Sequence, residues 1–209
     1  HERQEKAHTH YSGFSPDEKY AVAVDLGTDH IITYQLKEGR LEEVKKHAAA
    51  PGSGPRHIEF HPQEKYAYVL TELSNEVIVL EYNPDLGEFR EIQVISALPE
   101  GFDGHSQGGA IHITKDGKFV YASNRGHDSI AVFSVNEYSG ELSLVEHVST
   151  EGEWPRDFEI DPSEQFLVAS NQDTGTLTLF ERDRTTGRLT LLESGVPAPE
   201  AVCVKFLHQ

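Results

Sequence analysis

Methionine is absent from the 209-residue sequence, even at the first position, and tryptophan and cysteine occur once each, as Trp154 and Cys203. A single cysteine excludes an intrachain disulfide and fits a reducing, cytoplasmic setting. A chain that opens at His1 in a polar run, with no initiator, is expected to have a cut or processed end. No apolar run approaches the ~20 residues of a membrane helix, and the first residues hold no signal peptide. Basic residues are scarce: 18 Lys and Arg stand against 35 Asp and Glu, for a net charge of -17. That balance disfavours phosphate backbones and anionic lipid, so neither a nucleic-acid nor a membrane partner is expected. Helical periodicity is missing throughout. The histidines are scattered without the spacing of a zinc motif, so no metal and no other cofactor is expected. With 37% hydrophobic and 25% charged residues, the composition remains that of a soluble globular chain.

What the sequence does have is a repeat. The stretches His10–Tyr34, Arg56–Leu80, Gly109–Phe133 and Arg156–Phe180 stack without a gap. Tyr20, Tyr66, Phe119 and Phe166 share one column; Pro16, Pro62 and Pro162 share another, with Lys115 in the third copy. Each copy opens with a short run such as His57–Phe60, then a tight turn. A β-branched and aromatic run follows (Tyr66–Leu70), then a polar loop and a further run (Val77–Leu80). A last hairpin carries Gly39, Gly87, Gly140 or Gly187 at its turn. Four short strands per unit at a spacing of roughly 45 residues predict an all-β chain: a β-propeller of four-stranded antiparallel blades. The blades are expected at about residues 10–50, 56–96, 109–149 and 156–195 of one propeller domain spanning 1–209, with both faces of the middle strands buried. Residues 201–207 read as the first strand of a further blade, so four blades plus one strand of an expected seven are present and the domain is incomplete at its N-terminal side. A closed four-bladed ring would leave 201–207 without a purpose. Open blade faces and an unpaired last strand are expected to favour self-association.

Functional residues are sought where the copies disagree. The first column reads His10, Arg56, Gly109, Arg156; the residue after the second strand reads Leu26, Glu72, Arg125, Gln172. In an antiparallel blade the start of strand one and the end of strand two lie at the same end, so both columns open on one rim of the disc. Arginines, a carboxylate and an imidazole on one rim suit an anionic, carbonyl-bearing substrate. Solvated loop ends or ion pairs between blades would give the same columns. Asp25, Asp29 and Asp128 are expected to bond loop backbone in preference to a cation. Trp154 reads as a packing residue, and the Gly-rich insert Phe102–Gly109 as a mobile loop on the rim.

At these residues the chain resembles the lactonase family of seven-bladed propellers, the propeller-type 6-phosphogluconolactonases. The runs that carry the resemblance include His8-Thr9-His10, Gly54-Pro55-Arg56-His57-Ile58-Glu59-Phe60-His61-Pro62 and Thr71-Glu72-Leu73-Ser74. Tyr121-Ala122-Ser123-Asn124-Arg125-Gly126-His127-Asp128-Ser129-Ile130, Trp154-Pro155-Arg156 and Val202-Cys203-Val204-Lys205-Phe206 complete it. The resemblance implies hydrolysis of 6-phosphoglucono-1,5-lactone, a step of the pentose phosphate pathway, with a small anionic sugar lactone as partner. A related fungal branch cyclises carboxymuconate with a His, Arg, Glu, Arg site. By position this set falls on His10, Arg56, Glu72 and Arg125, with His8 competing for the first place. Arg156, His57, Gln172 and His8 are then expected around the substrate. Glu72 and His10 both qualify as the base. The alternatives are a cycloisomerase on the same rim and a non-catalytic scaffold that binds protein on the disc face.

Overall fold

A computed structural model describes residues 1–207. The chain forms four four-stranded antiparallel sheets in sequence order, preceded by a single 3-10 turn at Glu2–Gln4. The first blade contains β1 (Thr9–Phe14), β2 (Ala21–Asp25), β3 (His30–Lys37) and β4 (Arg40–Ala48). The second contains β5 (Pro55–Phe60), β6 (Tyr66–Thr71), β7 (Glu76–Asn83) and β8 (Glu88–Ser96). The third contains β9 (Gln107–Ile113), β10 (Phe119–Arg125), β11 (Ser129–Val135) and β12 (Leu142–Ser149). The fourth contains β13 (Pro155–Ile160), β14 (Phe166–Asn171), β15 (Thr176–Arg182) and β16 (Leu189–Pro197). The first strands β1, β5, β9 and β13 neighbour one another from blade to blade. They are therefore the innermost strands, and the sheets radiate from them as blades do.

The hydrophobic core is divided into three slabs, one at each blade junction. Val22, Val24 and Ile31 meet Ile58, Ala67, Val69 and Leu80. Tyr68, Leu70 and Val79 then meet Ile111, Val120 and Phe133, and Tyr121, Ile130 and Val132 meet Phe158, Leu167 and Phe180. Successive residues of β6 thus face opposite slabs, Ala67 and Val69 one way and Tyr68 and Leu70 the other. A strand buried on both sides has no polar face to show, so it reads as an unbroken apolar run.

Polar contacts tie neighbouring blades together at two fixed columns. In the first, the turn after strand two holds Asp29, Asn75 and Asp128 in the left-handed region, at φ 57, 55 and 56. Each side chain bonds the loop that leads into the next blade. Asp29 accepts from Gly52 and Gly54 N–H, Asn75 donates to Ser106 O, and Asp128 accepts from Trp154 N–H. These aspartates bind backbone, as does Asp25, which accepts from His8 and Thr28 N–H. In the second, Tyr68 and Tyr121 donate to the carbonyls of Gly140 and Gly187, hairpin glycines of the following blade.

Residues 201–207 differ from the strand expected there, since they join no ladder. A strand needs a backbone partner. Here Val204 N–H donates instead to the Asp157 carboxylate (2.8 Å), and Lys205 Nζ pairs with Glu159 (2.5 Å), so the segment lies along β13 through side chains.

Candidate active site

All four innermost strands carry a β-bulge at the same column. His10 is the extra residue between the pairs Thr9–Asp25 and Tyr11–Val24, Arg56 between Pro55–Thr71 and His57–Leu70, and Arg156 between Pro155–Asn171 and Asp157–Ser170. In β9 the interruption falls at Gly109 and Ala110, between Gly108–Asn124 and Ile111–Ala122. A bulged residue has no opposite number, so its side chain leaves the in-and-out alternation and can be aimed at a site. Just beyond strand two, Leu26, Glu72 and Gln172 donate their N–H groups to His8 O, Gly54 O and Trp154 O, the residues leading into each bulge. The two columns are thereby held side by side.

Glu72 is the hub. Its Oε2 accepts from Arg56 Nε at 3.1 Å and pairs with Arg125 Nη2 at 2.8 Å; its Oε1 pairs with Arg3. Arg56, Glu72 and Arg125 are 5%, 1% and 2% exposed, so this is a buried network. Two backbone carbonyls complete it: Gly109 O accepts from Arg56 Nη1 (2.6 Å) and Gly108 O from Arg125 Nη2 (2.6 Å). Arg125 also lies over the Trp154 ring, 5.4 Å from its centroid, while His105 stacks on that ring at 6.0 Å. The Gly-rich insert thus packs against the rim, with Phe102 edge-on to His127 at 4.8 Å.

The protonation states follow from burial and from these charges. Burial alone would raise the Glu72 carboxyl, but Arg125, Arg3 and Arg56 outweigh it and hold the group below the ordinary carboxylate range. Burial, then the Arg125 charge, brings Arg56 down to about 10, so it stays protonated at neutral pH. Burial and Arg56 push His57 down to about 2, so this imidazole is neutral and receives Arg56 Nη1 2.8 Å from its Nε2. His10 is also lowered, chiefly by burial, against the opposing pull of the His8 carbonyl and Glu72. Its Nδ1 lies 2.8 Å from His8 O and must carry the proton to donate there. Nε2 is left as the free base, 4.0 Å from Glu72 Oε2.

Of the residues singled out in the sequence, His10, Arg56, Glu72 and Arg125 converge, and His57 lies against Arg56. Arg156 pairs with Gln172 at 3.3 Å on the same rim. His8 does not join them: its ring meets Glu5 at 3.2 Å, and its role at the site is the carbonyl that orients His10. Arg3, Trp154 and the Gly108–Gly109 carbonyls were not anticipated. The glycine pair left a trace in the sequence, a side-chain-free position in a column of His and Arg. Its need for glycine is steric: a Cβ at Gly108 would lie 2.3 Å from Thr71 O, a backbone atom of the neighbouring blade. Gly108→Ala is expected to cost about 1–3 kcal/mol of stability and to loosen Arg125, which denaturant unfolding would register.

Residues 1–206 match the family model described as lactonase, 7-bladed beta-propeller. The chain belongs to this family. Over its whole length it is 70% identical to a 6-phosphogluconolactonase of Bacillus subtilis, of which it covers 60%. A crystal structure of a Lactobacillus plantarum protein superposes on 98% of the chain with a TM-score of 0.95 at 39% identity, the chain covering 60% of it. The periplasmic gluconolactonase of Pseudomonas aeruginosa superposes on 96% with a TM-score of 0.90 at 35% identity, with 57% of that chain covered. The chain therefore spans about 60% of the length of these relatives. Its sheets supply four of the seven blades in the family's description. No helix among the described residues is long and apolar enough to cross a membrane.

Proposed function

We propose that the full-length lactonase hydrolyses 6-phosphoglucono-1,5-lactone to 6-phosphogluconate, and that the Glu72-centred rim is its active site. The observation that carries this reading is a neutral His10, its free Nε2 facing a carboxylate that braces two buried arginines. Glu72 is a poor base, because its lone pairs are taken by guanidinium groups and its pKa is depressed. His10 therefore takes the base role. Its Nε2 accepts a proton as a water oxygen bonds to the lactone carbonyl carbon. The arginine N–H groups stabilise the developing oxyanion. When the bond from that carbon to the ring oxygen breaks, His10 returns the proton to the departing oxygen. This route uses neither metal nor cofactor. A phosphorylated substrate and a single cysteine support a cytoplasmic setting.

Full-length protein given the phosphorylated lactone should exceed the spontaneous hydrolysis rate, and His10→Asn should lower kcat by ~10²–10⁴-fold. A full-length protein no faster than buffer would reject the lactonase reading. A His10→Asn variant as fast as the parent would move the base elsewhere.

A further inference from the structure

Resting on the lactonase reading, we infer that Arg156, oriented by Gln172, is the residue that selects the phosphorylated substrate. Arg56 and Arg125 are unsuited to that task. They are buried, and their charge is already shared with Glu72, to which Arg56 Nε and Arg125 Nη2 are bonded. Arg3 is paired with the second oxygen of Glu72, and Lys205 with Glu159. His57 is neutral. Arg156 is half-buried and its one side-chain hydrogen bond goes to a neutral acceptor, Gln172 Oε1, at 3.3 Å. Among the described residues no carboxylate lies within 4.0 Å of its guanidinium. Its charge still reaches the network, since it helps to lower both Arg56 and Arg125.

Arg156 shares with Arg56 and His57 a cavity of about 400 Å³, the size range of small-molecule sites. The bulge that aims Arg56 at the hub aims Arg156 at the same rim from two blades further on. The wall away from Gln172 is acidic: Glu59 and Asp157 line the cavity, Glu59 against His112 and Asp157 Oδ2 accepting from Val204 N–H, while Lys205 there is paired with Glu159. A dianionic phosphate is therefore directed to the Gln172 side of Arg156, where a planar fork can meet two of its oxygens. The division of labour is plain. Arginines neutralised by Glu72 serve the carbonyl, and the arginine left without a counter-ion serves the phosphate.

The test uses the full-length protein and two matched pairs of probes. Binding of 6-phosphogluconate and gluconate is measured by calorimetry, and hydrolysis of the corresponding lactones by initial rates. The parent should favour the phosphorylated member of each pair. Arg156→Gln should reduce that preference roughly ten- to hundredfold, the range for charged hydrogen bonds. Gln172→Glu should reduce it comparably while leaving Arg156 in place, because a carboxylate now occupies the cation; a merely steric role for Arg156 would not respond this way. A preference unmoved in both variants, with thermal midpoints near the parent's, overturns the assignment even where hydrolysis persists. A parent that hydrolyses neither lactone, but whose binding preference collapses in both variants, overturns the lactonase reading and sustains phosphate selection by Arg156.

Discussion

With the proposed lactone hydrolysis as the readout, Glu72→Gln in the full-length protein is expected to lower kcat by ~10²–10³-fold, comparable to losing an oxyanion-hole donor, and to cost about 3–5 kcal/mol of stability, as when a buried ion pair loses one partner. The two effects share a cause. Glu72 is 1% exposed and is the carboxylate common to Arg3, Arg56 and Arg125. A glutamine of the same shape keeps one acceptor oxygen but turns an amide donor toward guanidinium groups that are donors only. Arg56 and Arg125 would then be buried cations without a counter-charge, left to neutral partners: Gly109 O and the His57 ring for Arg56, Gly108 O and the Trp154 ring for Arg125. Loss of oxyanion stabilisation follows from their displacement. Urea unfolding and steady-state kinetics on the same preparation check both halves, and the pH profile separates roles. With His10 as base, the acidic limb of kcat survives in Glu72→Gln and vanishes in His10→Asn. An acidic limb lost in Glu72→Gln, with stability unchanged, would make Glu72 the base and remove its bracing role.

The blades were legible because packing leaves a regular mark. The two inner blades bury both faces of their sheets and the two outer blades one, so apolar runs recur with turn residues at fixed places, and Tyr20, Tyr66 and Phe119 align. The rim could be found as the columns where that regularity breaks, which is why Arg56, Glu72 and Arg125 could be named before their contacts were known. Arg3 lies outside the repeat, so no column could expose it. Trp154 looked like ordinary core, but it sits at φ 62, a strained backbone for a bulky residue, with its ring beneath Arg125. Side-chain alternation along a strand could not decide between His8 and His10, because the bulge at His10 breaks that parity. The 201–207 segment has a strand's composition, yet pairing depends on a partner rather than on composition.

The third residue after the bulge column builds a second tier on three of the inner strands, and a pH effect follows from it. This column reads Glu59, His112 and Glu159 on β5, β9 and β13, with Lys205 beside Glu159. His112 Nδ1 lies 3.0 Å from Glu59 Oε1 and 3.9 Å from Glu159 Oε1, so charges alternate across neighbouring blades. The ring packs edge-on against Phe158 at 5.0 Å, and its Nε2 is buried without a hydrogen-bond partner among the described residues. Burial alone would lower His112, but the Glu59 hydrogen bond and the charges of Glu59, Glu159 and Asp157 reverse this and raise it above its ordinary value. The folded state therefore binds the proton more tightly than the unfolded chain does. The stability this contributes is complete below the unfolded value of ~6.5 and is lost as pH rises through the raised folded value. His112→Gln is expected to destabilise the full-length protein by about 1.5–3 kcal/mol at pH ~5.5, the range for a charged hydrogen bond, with the deficit shrinking as pH is raised. Urea unfolding of parent and variant along a pH series measures that gap. A gap that stays constant, or widens toward alkaline pH, would mean that His112 packs as a neutral ring and that the inner strands are not joined by its charge.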